Sequence, residues 1–193
     1  MAADTWIDLL DAIGRRLGNY PLFVAELGLL KTLSPQAQSE IRTPLPVQCH
    51  WPVAGAGDEL GRLMAMVDQA IKAGWRQNPN YRAAPPGAGF LENYGYLECA
   101  GPDAPYRTPH LRLGLLLLGP GTLYPAHHHP AEEIYLPLGP GRWWKEGEGW
   151  QTRAGGDVIH HPPMCPHATE SGDTALAAIY LWRGEIVRAA EIG

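Results

Sequence analysis

The chain has 193 residues, with 15 Lys plus Arg against 20 Asp plus Glu and a formal charge of −5. The acids are dispersed and there is no basic stripe, which excludes a nucleic-acid partner. No apolar run approaches the roughly 18 residues of a spanning helix, and the start, "MAADTWIDLLDAIGRR", is amphipathic instead of signal-like, so the expectation is a soluble cytoplasmic protein without a membrane partner.

In chain order, apolar residues first recur at helical spacing. Trp6, Leu9, Leu10, Ile13 and Leu17 form one stripe, and Leu60, Leu63, Met64, Val67 and Ile71 form another, with Asp4 and Asp58 expected as N-terminal caps. This predicts three or four helices up to about Trp75, broken at "NYP", "LSP" and "TPLPVQCHWPVAGAG". Past Asn78 the helical period gives way to short runs punctuated by glycine and proline every eight to twelve residues: "NYGYLEC", "LRLGLLLLG", "EEIYLPL", "RWWKE", "GWQTR", "DVIHH" and "TALAAIYLW". That is the spacing of an antiparallel sandwich or small barrel. The stretch "NPNYRAAPPGAG" reads as the connector, dividing a helical segment, 1–78, from a β segment, 79–193, within one α+β chain. Cys49, Cys99 and Cys165 are odd in number and in no CxxC pattern, so neither a disulfide framework nor a zinc finger is expected.

Chemistry concentrates in "HHHPAEEIYLPLG", His127 to Gly139. With a strand period of two, His127 and His129 share a face, as do Glu133 and Tyr135 after the turn at Pro130. His128, Glu132, Ile134 and Leu136 point the other way. A later segment, "GGDVIHHPPMCPHATES", adds His167. Imidazole and carboxylate together suit zinc, iron, manganese, cobalt or nickel. Strict parity turns Tyr124 away from His127, so only an irregular backbone around Pro125 would bring it in.

The run "GTLYPAHHHPAEEIYLPLG" resembles the first cupin motif through Gly121, His127, His129, Glu133 and Gly139 or Gly141. "GGDVIHHPPMCPHATE" is similar to the second through Gly156, Pro162 and His167, although Met164 replaces the usual glycine and Glu170 or Ser171 the terminal asparagine. Over nearly the whole chain the likeness is to cupin-type dimethylsulfoniopropionate lyases of the DddQ kind, carried by Tyr124 to Leu138, the helical N-terminal part and Trp182. The resemblance implies an all-β cupin double-stranded β-helix barrel with an N-terminal helical extension. It further implies a carbon–sulfur lyase that releases dimethyl sulfide and acrylate by β-elimination, as a monomer or homodimer.

In such a lyase His129, Glu133, Tyr135 and His167 form the metal shell, with His127 in it or just behind it. Tyr135 is expected as the base, because a cation beside a phenol lowers its pKa, and Tyr124 is the rival. Trp182 and Tyr124 are expected to hold the sulfonium by cation–π attraction, with Trp143 behind them on the substrate side of the site. His128, His160 and His161 read as surface or loop histidines, Glu132 as a solvated carboxylate and Cys165 as an inert turn residue. A cupin dioxygenase and a non-catalytic ligand-binding cupin are the alternative classes.

Overall fold

A computed structural model describes residues 2–37, 43–52 and 59–193. Helices α1 (Ala2–Arg16), α2 (Pro21–Leu30) and α3 (Glu59–Ile71) precede strand β1 (Trp75–Arg76) and the short helix α4 (Pro79–Ala83), with a 3₁₀ turn at Pro46–His50. Strands β2 (Tyr94–Gly101), β3 (Tyr106–Arg107), β4 (Leu111–Leu118), β5 (Leu123–His128), β6 (Ala131–Pro137) and β7 (Gly141–Lys145) follow. The chain then adds β8 (Gly149–Arg153), β9 (Ile159–His161), β10 (His167–Glu170), β11 (Leu176–Gly184) and β12 (Glu191–Ile192).

Local signals account for most helix boundaries. Trp6, Leu9, Leu10, Ile13 and Leu17 are all buried, Arg15 and Arg16 sit at the C-terminal end of the α1 dipole, and Pro21 opens α2 where its missing N–H is harmless. Because α1 begins at Ala2, Asp4 stands inside its first turn and is not a cap; the carboxylate is favourable there through the dipole. Asp58 lies outside the described residues. Helical structure also continues past Asn78, since "NPNYRA" forms α4, with Asn78 Oδ1 accepting from the Asn80 N–H at 2.9 Å and Pro79 in the first turn. Residues 78–83 are therefore more than a connector.

The strands form two sheets. One runs β1–β2–β4–β11–β6–β9 with β3 beside β2, and the other runs β12–β5–β10–β7–β8. The large sheet is buried on both faces, which explains why β4 reads "LRLGLLLL" without alternation. Leu111, Leu113, Leu115 and Leu117 pack with Ile134, Leu136 and the helices on the outer face. Leu116 and Leu118 pack with Tyr94, Tyr124, Tyr135 and Tyr180 inside the barrel. One glycine is required by this packing: a Cβ on Gly114 would lie 2.1 Å from the Leu97 carbonyl oxygen and 2.6 Å from the Tyr180 hydroxyl. Its absence lets Tyr180 cross the strand.

Candidate metal centre

Strands β5, β6 and β9, the turn between β5 and β6, and the start of β10 bring five buried groups together: His127, His129, Glu133, His161 and His167. Each of three imidazoles is oriented by a short-range backbone bond. His127 Nδ1 lies 2.8 Å from the Pro125 carbonyl, His129 Nδ1 3.0 Å from that of Ala131, and His167 Nδ1 2.9 Å from that of Cys165. A carbonyl can only accept, so the proton sits on Nδ1 in each ring and the Nε2 lone pair is left to point away.

Those lone pairs meet a carboxylate. His129 Nε2 and His167 Nε2 both lie 3.1 Å from Glu133 Oε2, and ligand atoms of His129, Glu133 and His167 all fall within 4.8 Å of one another. His167 Nε2 is buried with no hydrogen-bond partner. Acceptor facing acceptor in a desolvated place is repulsive, and the arrangement suits a cation shared among the three. The donor set fits a first-row divalent metal, and the carbonyl-bound Nδ1 groups are the usual outer support of such ligands.

Burial pushes the Glu133 carboxyl up, but positive charge at His129 and bonds donated by His129, His161 and His167 would hold it well below its ordinary value of 4.5, and a cation bound there would play the same part where the ring protons sit on Nδ1. Burial, then the neighbouring His167, keeps the His127 imidazole well below 6.5. His127 stacks against Tyr124, its ring centre 4.2 Å from that of His167 and 6.4 Å from that of His129, so it flanks the trio.

Tyr135 stands beside Glu133, its phenol interacting with that carboxylate, and burial together with the Glu133 charge raises it well above 10. Tyr124 is inside despite its parity. Between β5 and β10, His167 faces His127 while Thr169 faces Tyr124, so three steps on β5 match two on β10. This bulge at Pro125 and Ala126 flips the side-chain alternation and lets the Tyr124 ring stack on His127 at 3.9 Å and 7°. The Tyr124 hydroxyl meets that of Tyr81, from α4, at 3.0 Å.

Trp182 lies across β11 from Glu133 and donates its indole N–H to Glu133 Oε1 at 2.6 Å, while its ring stacks on His129 at 4.0 Å. Tyr124, Glu133, Tyr135 and Trp182 line one cavity of about 270 Å³. Trp143 stands behind Tyr135, outside the lining of that cavity. Its ring is 4.9 Å from Tyr135 and it lines a different cavity of about 220 Å³, because the inward face of β7 supports the phenol from behind.

His161 is a further correction: it is no surface residue. It sits across from Glu133 in the β6–β9 pairing, with Nδ1 3.4 Å from Glu133 Oε2 and its ring stacked on His167 at 3.9 Å. Burial, then His167, lowers its pKa to about 4, so it is neutral at pH 7. Parity within "DVIHH" contained the signal, since His161 shares a face with Ile159, which belongs to the interior cluster. Also absent from the sequence-based expectation are Arg76, Glu98 and Arg112 on the cavity wall. Glu132 and His160 stay on the outer face, 2.9 Å apart.

Two sheets, antiparallel except for the β2–β3 pair, closed around a His, Glu, His cluster define a cupin barrel, here with helices packed on one sheet. The chain belongs to the dimethylsulfoniopropionate lyase family, whose profile matches residues 27–178. It is 34% identical over 127 residues to dimethylsulfoniopropionate lyase DddQ of Ruegeria pomeroyi, which covers 63% of this chain and 62% of that relative's length. The crystal structure of DddQ from Ruegeria pomeroyi DSS-3 is similar over 98% of this chain and 96% of that one, with a TM-score of 0.78 and 26% identity. A chain from the crystal structures of the lyases RdDddP and RnDddQII shares the fold over the full length of both, at a TM-score of 0.75 and 22% identity.

Proposed function

We propose that this chain cleaves dimethylsulfoniopropionate to dimethyl sulfide and acrylate by base-initiated β-elimination, using a zinc, iron, manganese, cobalt or nickel ion held by His129, Glu133 and His167. The observation that carries the reading is the buried acceptor cluster, all within 4.8 Å, opening beside Tyr135 and Trp182 onto one cavity. When bound there, the ion supplies Lewis-acid charge at the substrate carboxylate, which acidifies the adjacent carbon.

The remaining work falls to side chains. Tyr135 Oη takes the proton alpha to the carboxylate, with Tyr124 as the rival base. Burial and Glu133 keep the Tyr135 proton in place, so this role calls for cationic charge in the cluster. Trp182 and Tyr124 offer aromatic faces to the sulfonium, an attraction of roughly 0.5 to 2 kcal/mol. Trp143 steadies the Tyr135 ring. Among the described residues no helix is long and apolar enough to cross a membrane, and a cytoplasmic site of action is part of the same proposal.

The test is direct. Metal-loaded protein is incubated with dimethylsulfoniopropionate, dimethyl sulfide is measured in the headspace and acrylate in solution. Equimolar release of both is expected. Oxygen uptake without dimethyl sulfide would overturn the reading in favour of an oxygenase.

A further inference from the structure

The cavity has a second pole. Across the large sheet, Arg112 of β4 is paired with Trp182 of β11, which is paired with Glu133 of β6, so the three form one transverse row. At roughly 4.8 Å per strand, Arg112 starts about 10 Å from Glu133 with Trp182 between them. A zwitterion with two methylene carbons between carboxylate and sulfonium reaches from the cluster to the Trp182 ring. The space beyond is then unfilled.

That space is lined by an ion cluster. Glu98 is 1% exposed, and its Oε2 accepts from Arg112 at 2.6 Å, while Arg76 approaches its Oε1 only to 3.8 Å. Arg112 is held through Nη1 by Glu98 and through Nε by the Ile186 carbonyl at 2.7 Å. Arg76 is held more loosely. It donates to the Asp103 carbonyl at 2.7 Å, but its Nε is buried without a hydrogen-bond partner, as is Glu98 Oε1. Two guanidiniums share one buried carboxylate at this end, the other acid on the wall, Asp103, being exposed, and this leaves a surplus of positive charge with one buried N–H unsatisfied. A carboxylate is the planar group that a guanidinium fork best satisfies.

We infer that Arg76, backed by Arg112, forms an anion subsite at the far end of the cavity, which takes the second carboxylate of a dicarboxylate ligand whose first carboxylate lies at the His129–Glu133–His167 end. The inference deepens the proposed lyase reading and rests on it for the placement of the first carboxylate. The substrate class it defines is a 3-sulfoniopropionate with a carboxylate on one of its other sulfur substituents. Its elimination balances as before. The proton alpha to the first carboxylate goes to Tyr135, the C–H pair becomes the new C=C bond, and the C–S pair leaves on sulfur. The products are acrylate and a thioether, its sulfur now uncharged, that bears the second carboxylate.

The experiment is binding calorimetry on the metal-loaded protein with unreactive probes, α,ω-dicarboxylates from succinate to pimelate, each against the monocarboxylate of equal length. At least one diacid should bind about tenfold more tightly than its monoacid, as expected for one additional charge-assisted contact. In R76Q the preference should fall to within about twofold, and R76K, which keeps the charge, should recover part of it. Unchanged thermal unfolding of R76Q checks that the cavity is intact; should it unfold early, R76K against the parent protein gives the comparison. Equal affinity for diacids and monoacids, or a preference that survives R76Q in folded protein, overturns the subsite. The two readings fail separately: dimethyl sulfide release without diacid preference removes only the subsite, and an Arg76-dependent diacid preference without dimethyl sulfide release removes the lyase reading instead.

Discussion

The indole of Trp182 and the carboxylate of Glu133 are joined by a hydrogen bond of 2.6 Å, which leaves Glu133 Oε2 to face His129, His161 and His167. Trp182 thus touches the cluster through its nitrogen as well as through its ring, and the two contacts can be separated. Trp182→Phe keeps an aromatic face but loses the donor that orients Glu133. Metal affinity should fall about tenfold or more, as for other outer supports of a ligand, while KM rises only modestly. Trp182→Ala should lose both. Metal titration and steady-state kinetics on the pair check this; identical values for tryptophan, phenylalanine and alanine would leave Trp182 a packing residue.

Removal of an imidazole tests the cluster itself. His129→Ala or His167→Ala should strip the metal from protein purified without chelator, because each deletes one of three convergent donors. His127→Ala should retain more metal than either, since its ring flanks the trio. Elemental analysis gives the ratios, and full occupancy in the His129 and His167 variants excludes the assignment.

The base is tested with two phenylalanine variants at matched metal content. Tyr135→Phe keeps the ring that packs on Trp143, so the fold should survive while the rate falls by about 10²- to 10⁴-fold. Tyr124→Phe also loses its bond to Tyr81. If Tyr135→Phe turns over at the parent rate and Tyr124→Phe is inactive, the proton is taken by Tyr124.

Stability has its own probe on the outer face. Arg183 reaches Glu26 of α2 at 3.4 Å and also pairs with Glu132 of β6, tying the helices to the barrel. Arg183→Met leaves both carboxylates without that cation. All three groups are about one-quarter exposed or less, so the loss should be about 1 to 2 kcal/mol once solvent screening is allowed for. Denaturant unfolding measures it, and an unchanged midpoint would show the contact to be energetically idle.

The helices and most strands were legible because each carries a short-range period: Trp6 to Leu17 at helical spacing, and Glu132 against Glu133 at strand spacing. Convergence of His129, Glu133 and His167 was legible for the same reason, with the motif resemblance supplying the long-range closure. What escaped depends on pairing between strands. His161 joins the buried cluster only because β9 lies beside β6, and Arg112 lines the cavity only because β4 lies beside β11. Tyr81 looked like linker because its partner, Tyr124, is 43 residues away.

The bulge opposite His167 and Thr169 has a consequence for chain length. Between Tyr124 and His127 the β5 backbone spends one residue more than its neighbour, and that surplus alone keeps a phenol and an imidazole on the same wall. Deleting Ala126 would restore an even ladder in which the phenol and the imidazole, now two residues apart, still share a face. Adding a residue would slip everything that follows. A stretch at the rim of a barrel, where insertions and deletions are ordinarily absorbed, is in this protein tied to a parity: a spacing of three residues keeps both rings inside only because the bulge is there.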